Sequence, residues 1–523
     1  KFFAQVLVRA CRQSMTMAQH MAQRGAVIAF SLLLGLANGL YGLPDVDVTG
    51  KLNVGILIMP GVFISEATAP FDMYKHVGGN NTMNVYFVAD TMDPVYTYYG
   101  ARLKPDYTFS NAPSPDVLVV PSGIGSHHSF LTAWYGGKTN ADGTIQGATA
   151  NDQPVTYYGN MTNLIDWVKT SAAAAQIVTS HCWGAFTLAD AGVLDGKAAT
   201  TFPGYTGTLK RYYPSIGSVV ADKRWVVDGK VMTSNGAVAA FEACLAVIRH
   251  LYGELVASVV ASGLVLSNEN VGHSMDQYFR PSPTAGQNEA ISATKVGILL
   301  LEGVFISEPA APFDVFAHLG ADLDVYFVGE TSLAVKTYYG ATMYPDYTIK
   351  NAPQPDILVV PSGSGSMTTD REKADVVAWI RSSAANATWV TSHCWGAFML
   401  CQAGLCDKKA VTTFPGYYKE LSEAFPKIGS VVKDNRIVKD GNLVTSNGGV
   451  AAYEAANYVV MKHFGVNRAK TVATGLVFSA DNYQAMVGAH DAQYVPTPTS
   501  SAARSVALVV VPLVSNLLMA ALA

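Results

Sequence analysis

The sequence predicts two consecutive α/β domains, each built on a buried parallel sheet with helices on both faces. Two observations carry this prediction. A segment of about 200 residues occurs twice, and within each copy short apolar runs alternate with helical stretches. The composition agrees, because 50% of the 523 residues are hydrophobic and only 14% are charged, as suits sheets covered on both faces.

The two copies match over several ordered motifs. The run VGILIMPGVFISEATAPFD, which begins at Val54, returns as VGILLLEGVFISEPAAPFD from Val296. The segment TYYGARLKPDYTFSNAPSPDVLVVPSG from Thr97 returns as TYYGATMYPDYTIKNAPQPDILVVPSG from Thr337, and VTSHCWGAF, TTFPGY and TSNG follow in both copies. A repeat of this length is a whole domain rather than one unit of a solenoid.

The first copy contains an insertion. Glu66 and Glu308 are 242 residues apart, whereas Cys182 and Cys394 are only 212 residues apart. The extra residues, about 127–163, are rich in Gly, Asn, Thr and Tyr, which predicts a surface loop.

Each copy begins with a strand and a helix. The apolar run 54–59 is bounded by Pro60-Gly61, as is typical of a buried strand. Pro70 and Pro312 follow in the two copies, and we expect each near the start of an amphipathic helix, where proline is tolerated.

Further strands and helices alternate after this pair. We expect strands at 85–88, 325–328, 117–120, 357–360, 177–180 and 389–392, and helices at 164–175, 374–385, and from Gly184 and Gly396 onward. This order predicts a parallel sheet, and ligands of such sheets bind at the carboxyl ends of the strands.

The composition shifts divide the chain into six parts. They are a leader at 1–50, a first domain at 51–268, a proline-containing linker at 269–294, a second domain at 295–482, a stalk at 483–504 and an apolar tail at 505–523.

Both ends favour export. From Met21 a basic start, an apolar run at 26–37 and small residues resemble a secretory signal, the alternative being a non-native or disordered leader. The apolar stretch 506–523 fits a membrane span or a lipid-anchor signal. Sequons at Asn80, Asn160 and Asn386 suit this route. We expect a secretory or cell-surface protein tethered to a membrane, or otherwise a cytoplasmic one.

Charge and cysteine usage exclude several classes of function. The net charge of −4, without a basic run, argues against nucleic-acid binding. Six cysteines are too few for a disulfide framework in this length, and none has zinc-ligand spacing. We therefore expect no metal and no cofactor; the cysteine-centred motifs, rather than the charge, predict a small-molecule substrate.

Cys182 and Cys394 are the candidate nucleophiles. Each stands where a strand runs directly into a helix, which is the outline of a nucleophile elbow. The N–H groups and dipole at the start of that helix favour the thiolate, and Trp183 and Trp395 supply backbone N–H groups beside it. A buried structural cysteine is the alternative, but the four other cysteines do not recur at matched positions.

Other repeated residues fall at the same sheet edge. The Pro-Ser-Gly turns at Gly123 and Gly363 could present N–H groups to an oxyanion, or could be plain tight turns. Glu66 and Glu308 follow the first strand and could exchange a proton with the thiol, or could merely complement a helix dipole.

His181 and His393 directly precede the cysteines. Adjacent residues of a strand point to opposite faces, so we expect these histidines behind the site rather than as the base that takes the thiol proton.

These motifs together resemble the ThiJ/PfpI family of the class I glutamine amidotransferase-like superfamily. The frame Cys-Trp-Gly-Ala-Phe, the strand that ends in Val-Val-Pro-Ser-Gly, and the turn Thr-Ser-Asn-Gly carry the resemblance, which covers nearly all of both copies. It implies a flavodoxin-like three-layer sandwich, a Cys nucleophile, a Glu partner, and oxyanion donors near Gly123 with Trp183 and near Gly363 with Trp395. Because members of the family dimerise, the resemblance also implies that the two copies pack as an internal pseudo-dimer.

The pattern is most similar to the branch with isonitrile hydratase and the amidotransferase-like halves of AraC-type regulators. It departs from the family's proteases and glyoxalases, which often have His after the nucleophile where this chain has Trp183 and Trp395. We find no downstream His-x-Glu of true amidotransferases. These departures favour a hydratase, hydrolase or lyase with a Cys-Glu pair. The alternatives are a redox-responsive or ligand-binding protein, and a cell-surface protein with vestigial sites.

Overall fold

The computed structural model describes residues 42–123, 161–266, 294–433, 435–478 and 490–491, together with four two-residue strands of the insertion. Most of the predicted leader, the linker, most of the stalk and the whole apolar tail lie outside the described residues. The four strands of the insertion pair as two antiparallel ribbons, Lys138–Thr139 with Ile145–Gln146 and Thr149–Ala150 with Gln153–Pro154.

The first domain is built on a seven-stranded sheet with the order β6-β7-β5-β4-β1-β2-β3. All neighbours are parallel except β6, which pairs antiparallel with β7. The strands are β1 (Leu52–Leu57), β2 (Met83–Ala89), β3 (Tyr107–Thr108), β4 (Val117–Val120), β5 (Ile177–His181), β6 (Trp225–Asp228) and β7 (Val231–Ser234).

The second domain repeats this order as β10-β9-β8-β11-β12-β14-β13, with β15 added beside β13. The strands are β8 (Thr294–Leu300), β9 (Leu323–Gly329), β10 (Tyr347–Thr348), β11 (Ile357–Val360), β12 (Trp389–His393), β13 (Ile437–Asp440), β14 (Leu443–Ser446) and β15 (His490–Asp491). The sequence prediction of two flavodoxin-like α/β domains with mainly parallel sheets is confirmed by these strand orders.

Helices cover both faces of each sheet. They are α1 (Ile64–Lys75), α2 (Met161–Ala174), α3 (Gly184–Asp190), α4 (Thr206–Tyr212), α5 (Val238–Gly263), α6 (Ser307–Ala317), α7 (Ala374–Asn386), α8 (Gly396–Gln402), α9 (Tyr418–Ala424), α10 (Val450–Phe464) and α11 (Val466–Gly475). Small paired strands complete the domains: Ala198–Ala199 with Ser218–Val219, and Ala410–Val411 with Ser430–Val431.

The first helix of each domain differs from its predicted form. Pro70 and Pro312 lie inside α1 and α6 rather than near their starts, and every residue of both helices is buried. The two helices pack against each other across the domain boundary, so both are buried on every side although they carry polar residues.

The two domains pack as an internal pair with exchanged ends. The N–H of Val238 donates to the Leu476 carbonyl across 3.1 Å, and the N–H of Val450 donates to the Leu264 carbonyl across 2.8 Å. One apolar core cluster runs through both domains. Each domain therefore satisfies a backbone group of the other, and an isolated domain would leave these groups unpaired.

A second link is a small sheet shared by the domains. Its strands, in order, are Val335–Lys336, Thr342–Met343, Arg102–Lys104 and Val95–Tyr96. The central pair crosses the boundary, with Thr342 opposite Lys104 and Met343 opposite Leu103. This sheet and the α1–α6 contact fix one domain on the other.

Three further findings refine the sequence reading. Leu43, at the end of the predicted leader, is buried in the core of the first domain. Cys401 and Cys406 form a disulfide, which the sparse cysteine content did not reveal. Among the described residues, α5 alone is long and apolar enough to span a membrane, but 72% of its apolar window is buried inside the protein and its helix is interrupted at Gly253.

Candidate active site

Both candidate cysteines occupy a sharp turn between a strand and a helix. Cys182 lies between β5 and α3 with φ 53°, and Cys394 lies between β12 and α8 with φ 51°. A side chain in this left-handed region is strained, and such strain concentrates at functional sites. The turn is held from both sides in the first domain: the Cys182 N–H donates to the Ser234 carbonyl (2.9 Å), and the Thr201 hydroxyl donates to the Cys182 carbonyl (2.7 Å).

The residue after the Trp has to be glycine for a reason of space. A Cβ on Gly184 would lie 2.0 Å from the Val120 carbonyl oxygen, and one on Gly396 would lie 2.2 Å from that of Val360. Strand β4 or β11 therefore runs directly under the start of the helix. The repeated Cys-Trp-Gly thus reports a close approach of backbones as well as a candidate site.

A glutamate shares the space around each thiol. A Cβ on Gly236 would lie 2.3 Å from Glu66 Oε1 and 2.4 Å from the Cys182 Cβ, so these two side chains converge on that glycine. Glu66 Oε1 accepts a hydrogen bond from the Ala237 N–H. Its Oε2 is buried and has no hydrogen-bond partner among the described residues. The carboxyl is therefore held by one oxygen beside the thiol.

The second domain repeats this arrangement. Gly448 separates Glu308 from Cys394 in the same way, and Glu308 Oε1 accepts a hydrogen bond from the Gly449 N–H across 2.7 Å. The structure thus brings together each Cys and Glu that the sequence singled out. Their catalytic role stays a prediction.

Burial dominates the electrostatics of the pair. It raises the pKa of Glu66 and of Glu308 to about 8 in each case. It also raises the pKa of the Cys182 and Cys394 thiols well above the usual value, and the neighbouring carboxyl adds to this effect. The helix dipole therefore does not by itself produce the expected thiolate. Near neutral pH each pair carries its protons on both groups, and a thiolate forms only when a proton leaves the pair.

Two groups oppose this rise in the thiol pKa. The backbone N–H of Trp183 and the hydroxyl of Ser122 both lower the pKa of Cys182, and Trp395 and Ser362 do the same for Cys394. The serines were missed in the sequence, although they stand in the repeated Pro-Ser-Gly turn. In the second domain the N–H of the following Gly363 donates to the Ser366 hydroxyl (2.9 Å), so it is engaged there rather than directed at an oxyanion.

The two histidines lie behind the elbow, as the strand alternation predicts. His181 is fully buried, and its Nδ1 lies 2.8 Å from the Ser234 hydroxyl. His393 has the same partner in Ser446 at 2.9 Å. Burial lowers the pKa of each imidazole to about 3, so both are neutral at physiological pH. They support the strand that carries the cysteine.

Each site is completed by the opposite domain, which sequence reasoning missed. Asp314 of α6 and His318, the residue directly after α6, line the cavity beside Cys182. The His318 ring lies 5.2 Å from that of Tyr99, and the ring of the equivalent His76, directly after α1, lies 5.2 Å from that of Tyr339. The only signal was the repeat itself, since both copies carry Phe-Asp followed four residues later by His.

A cavity of about 150 Å³ opens beside Cys182. Its described lining is mainly aromatic and includes two acids: Phe63, Tyr98, Tyr99, Trp183, Phe202, Glu66, Asp314 and His318, with Ala237, Gly475 and Leu476. Among the described residues no group of three or more His, Cys, Asp or Glu side chains could hold a metal ion. The arrangement suits a small organic substrate placed against a thiol and a carboxyl.

Comparison with known proteins places both halves in one family. The model of the DJ-1/PfpI family matches residues 153–250 and 294–462. Isonitrile hydratase of Pseudomonas putida is 29% identical over 209 residues, which cover 40% of this chain and 76% of the relative. Protein DJ-1 homolog B of Arabidopsis thaliana is 24% identical over 287 residues, which cover 54% of this chain and 62% of the relative.

The solved structures with similar folds each match less than half of this chain. A ThiJ/PfpI family protein from Pseudomonas syringae is 18% identical with a TM-score of 0.35, and the match covers 46% of this chain and 96% of that chain. Drosophila melanogaster DJ-1beta is 26% identical with a TM-score of 0.33, and the match covers 35% of this chain and 98% of that chain.

Proposed function

The chain belongs to the DJ-1/PfpI family, and from this premise we propose that it is a cysteine-dependent hydratase, hydrolase or lyase acting on a small electrophilic substrate. The observation that carries the proposal is the enclosed Cys182–Glu66 pair, which faces a cavity large enough for a small molecule. The similarity to isonitrile hydratase of Pseudomonas putida supports substrates with a nitrile-like, isonitrile or carbonyl carbon.

In the proposed reaction, Cys182 and Glu66 donate protons to the substrate and later recover them. On a nitrile, the Cys182 sulfur attacks the carbon, a π pair moves to the nitrogen, and a proton from the thiol or the Glu66 carboxyl neutralises that nitrogen, with the Trp183 N–H beside the developing charge. On an isonitrile, the carbon itself takes the proton and the sulfur bonds to it, so both substrates give a thioimidate. A 2-oxoaldehyde first gives a hemithioacetal, and transfer of its C–H proton to the neighbouring carbon leaves a thioester. Water then adds to the thioimidate or thioester carbon and the C–S bond breaks, so the thiol and carboxyl recover their protons and the net change is the addition of one water.

Turnover of a substrate panel tests this proposal. Wild-type protein is assayed with nitriles, isonitriles and 2-oxoaldehydes beside Cys182→Ser, Cys394→Ser and the double variant. We expect loss of Cys182 to lower kcat by at least about 1000-fold, because a serine hydroxyl is a far weaker nucleophile without a dedicated base. Turnover that survives in the double variant would remove the thiols from the reaction.

A redox-responsive protein is the second candidate, and one observation favours it. Glu66 Oε2 is buried beside the sulfur without a hydrogen-bond partner in the described structure, and as a protonated carboxyl it could donate to an oxidised sulfur. Hydrogen peroxide would supply the oxygen atoms, with the sulfur oxidised to sulfenate and then sulfinate while peroxide is reduced to water. Peroxide titration followed by peptide mass analysis tests this; a thiol left unoxidised at Cys182 counts against it.

We also propose that the chain enters the secretory route. The Cys401–Cys406 disulfide suits an oxidising compartment, and the sequon residue Asn386 is exposed at the end of α7. Protein expressed in a eukaryotic secretory host should lose mass on treatment with an N-glycosidase. Unmodified Asn386 together with free thiols at Cys401 and Cys406 would contradict this route.

A further inference from the structure

The cavity beside Cys182 combines a buried acid from the opposite domain with a wall of aromatic rings. We propose that it binds a small organic cation, an ammonium or quaternary ammonium group, between these rings and Asp314. The substrate class named in this way rests on the proposed function, because the cation would be the part of the substrate that does not react.

Asp314 is the first part of the argument. It is 1% exposed and it lines the cavity. His318 Nδ1 lies 3.2 Å from Asp314 Oδ1, but the same nitrogen lies 2.8 Å from the Asp314 backbone carbonyl, which takes its proton. Asp314 Oδ2 has no hydrogen-bond partner among the described residues. A buried carboxylate oxygen without a partner is costly, and a cation in the cavity would satisfy it.

The balance of charge in the lining points the same way. Glu66 and Asp314 both face the cavity, and no lysine or arginine lies among its described lining residues. The negative charge of Asp314 contributes to the raised pKa of Glu66. A ligand that brings a positive charge is attracted by the Asp314 carboxylate, whereas an anionic ligand would be repelled by it.

The aromatic rings are the second, independent part of the argument. Phe63 stacks on Tyr98 with ring centroids 4.7 Å apart, and the Trp183 ring meets Phe63 edge-on at 6.3 Å. Tyr99 lies against Tyr98 at 4.8 Å. All four rings line the same small cavity, and aromatic faces attract alkylammonium groups within about 6 Å of the ring centre.

A bound cation would also act on the nucleophile. Glu66 and Asp314 both raise the pKa of the Cys182 thiol. A positive charge between them opposes this effect and favours the thiolate, so binding of the correct substrate and activation of the cysteine are coupled. A neutral molecule of the same shape would fill the cavity without this effect.

The test compares choline with its neutral isostere 3,3-dimethylbutan-1-ol. Both are titrated by calorimetry into the full-length Cys182→Ser protein, so that no turnover is required. We expect choline to bind about 10-fold more tightly, the factor that a single cation–aromatic or cation–carboxylate contact supplies. Equal affinity of the two ligands, or no detectable binding of choline, would overturn the proposal.

Asp314→Asn should remove the preference for choline at this site and leave the affinity for the alcohol unchanged. The matched control is Asp72→Asn, since Asp72 is the equivalent acid of α1 and lies near the second site. Choline preference that survives Asp314→Asn overturns the proposal. If Asp314→Asn does not fold, as judged by circular dichroism, Tyr98→Leu tests the aromatic wall instead. We expect this variant to bind choline with lower affinity, and an unchanged affinity would overturn the proposal.

The outcomes also separate this inference from the proposed function. Choline binding by a protein that turns over none of the substrate panel would leave the cation site standing and reject the enzyme. Turnover of neutral substrates without any binding of choline would support the enzyme and reject the cation site.

Discussion

The two candidate sites share their chemistry but differ in their cover. Around Cys394 the aromatic residues Phe305, Trp395 and Phe414 are buried, at 8%, 4% and 2% exposure. Their counterparts around Cys182, which are Phe63, Trp183 and Phe202, are partly exposed and line a cavity. Equivalent aromatic residues therefore line a pocket in the first domain and are part of the core in the second. The two sites differ in how deeply these residues are buried, not in which residues they are.

The loop after β11 packs over the second site. Its Ser364 N–H donates to the Gly303 carbonyl across 3.0 Å, and Met367 packs on the apolar cluster that contains Trp395. In the first domain the corresponding loop carries the insertion, which lies outside the described residues apart from its short ribbons.

The largest effect should be the same in both domains, and it tests their equivalence. Burial raises the pKa of Glu66 and Glu308 from 4.5 to about 8, so the folded state binds more protons than the unfolded state in this window and stability falls as the pH rises through it. Between these two pH values the wild type should lose folding stability on the order of a few kcal/mol for each glutamate, and Glu66→Gln or Glu308→Gln should each abolish one such loss. Urea unfolding at several pH values measures it.

Equal flattening of the stability profile by both variants would sharpen the comparison. If stability falls with pH as steeply in one variant as in the wild type, the pKa of the replaced glutamate is not raised by folding, and the two sites are not equivalent.

Alkylation by iodoacetamide should distinguish the cysteines next. Cys182 is 7% exposed and faces a cavity, whereas Cys394 is 4% exposed beside aromatic residues that are themselves buried. We expect Cys182 to react about 100-fold faster, which corresponds to an opening free energy of about 2.7 kcal/mol. Peptide-resolved mass spectrometry reads both rates in one sample, and Met367→Ala should bring the rates closer. Equal rates in the wild type would refute the difference in cover.

A glycine difference beside the glutamates gives the third effect. Ala237 has φ 46°, a conformation that disfavours a side chain, where the second domain has Gly449 with φ 54°. A Cβ on Gly449 would lie 2.1 Å from the Leu264 carbonyl oxygen. We expect Gly449→Ala to cost about 2 kcal/mol and Ala237→Gly to add about 1 kcal/mol of stability, measured by urea unfolding. A destabilised Ala237→Gly would show that the alanine is not strained.

The smallest effect concerns the disulfide, which only the second domain has. Cys401 and Cys406 correspond to Ala189 and Leu194 of the first domain. Closing so short a loop stabilises the folded state by up to about 2 kcal/mol in the chain-entropy account. Dithiothreitol should therefore speed hydrogen exchange in α8 and leave α3 unchanged. Acceleration in both helices would mean that the bond acts on the whole molecule.

Much of this architecture was predictable from the chain alone. The repeat predicted two domains, the solid apolar runs predicted buried parallel strands, and the Cys between strand and helix predicted the elbow at Cys182 and Cys394. Each of these depends on local sequence, because a buried run and a turn are determined by residues that are neighbours in the chain. The convergence of each cysteine with Glu66 or Glu308 also followed, since the carboxyl ends of parallel strands meet at one edge.

Other features depended on contacts between distant residues. Nothing local indicated that Asp314 and His318 complete the site of Cys182, because they lie in the other domain and reach it through the packing of α6 on α1. The thiol pKa is a further case: the helix start alone favours a thiolate, but the enclosed carboxyl and the loss of water reverse that effect. The sequence by itself therefore determined two α/β domains with paired Cys and Glu residues. The tertiary structure alone decided which site is lined as a pocket and what charge surrounds its sulfur. Burial and electrostatics are sums over neighbours in space, and the order of residues in the chain does not reveal those neighbours.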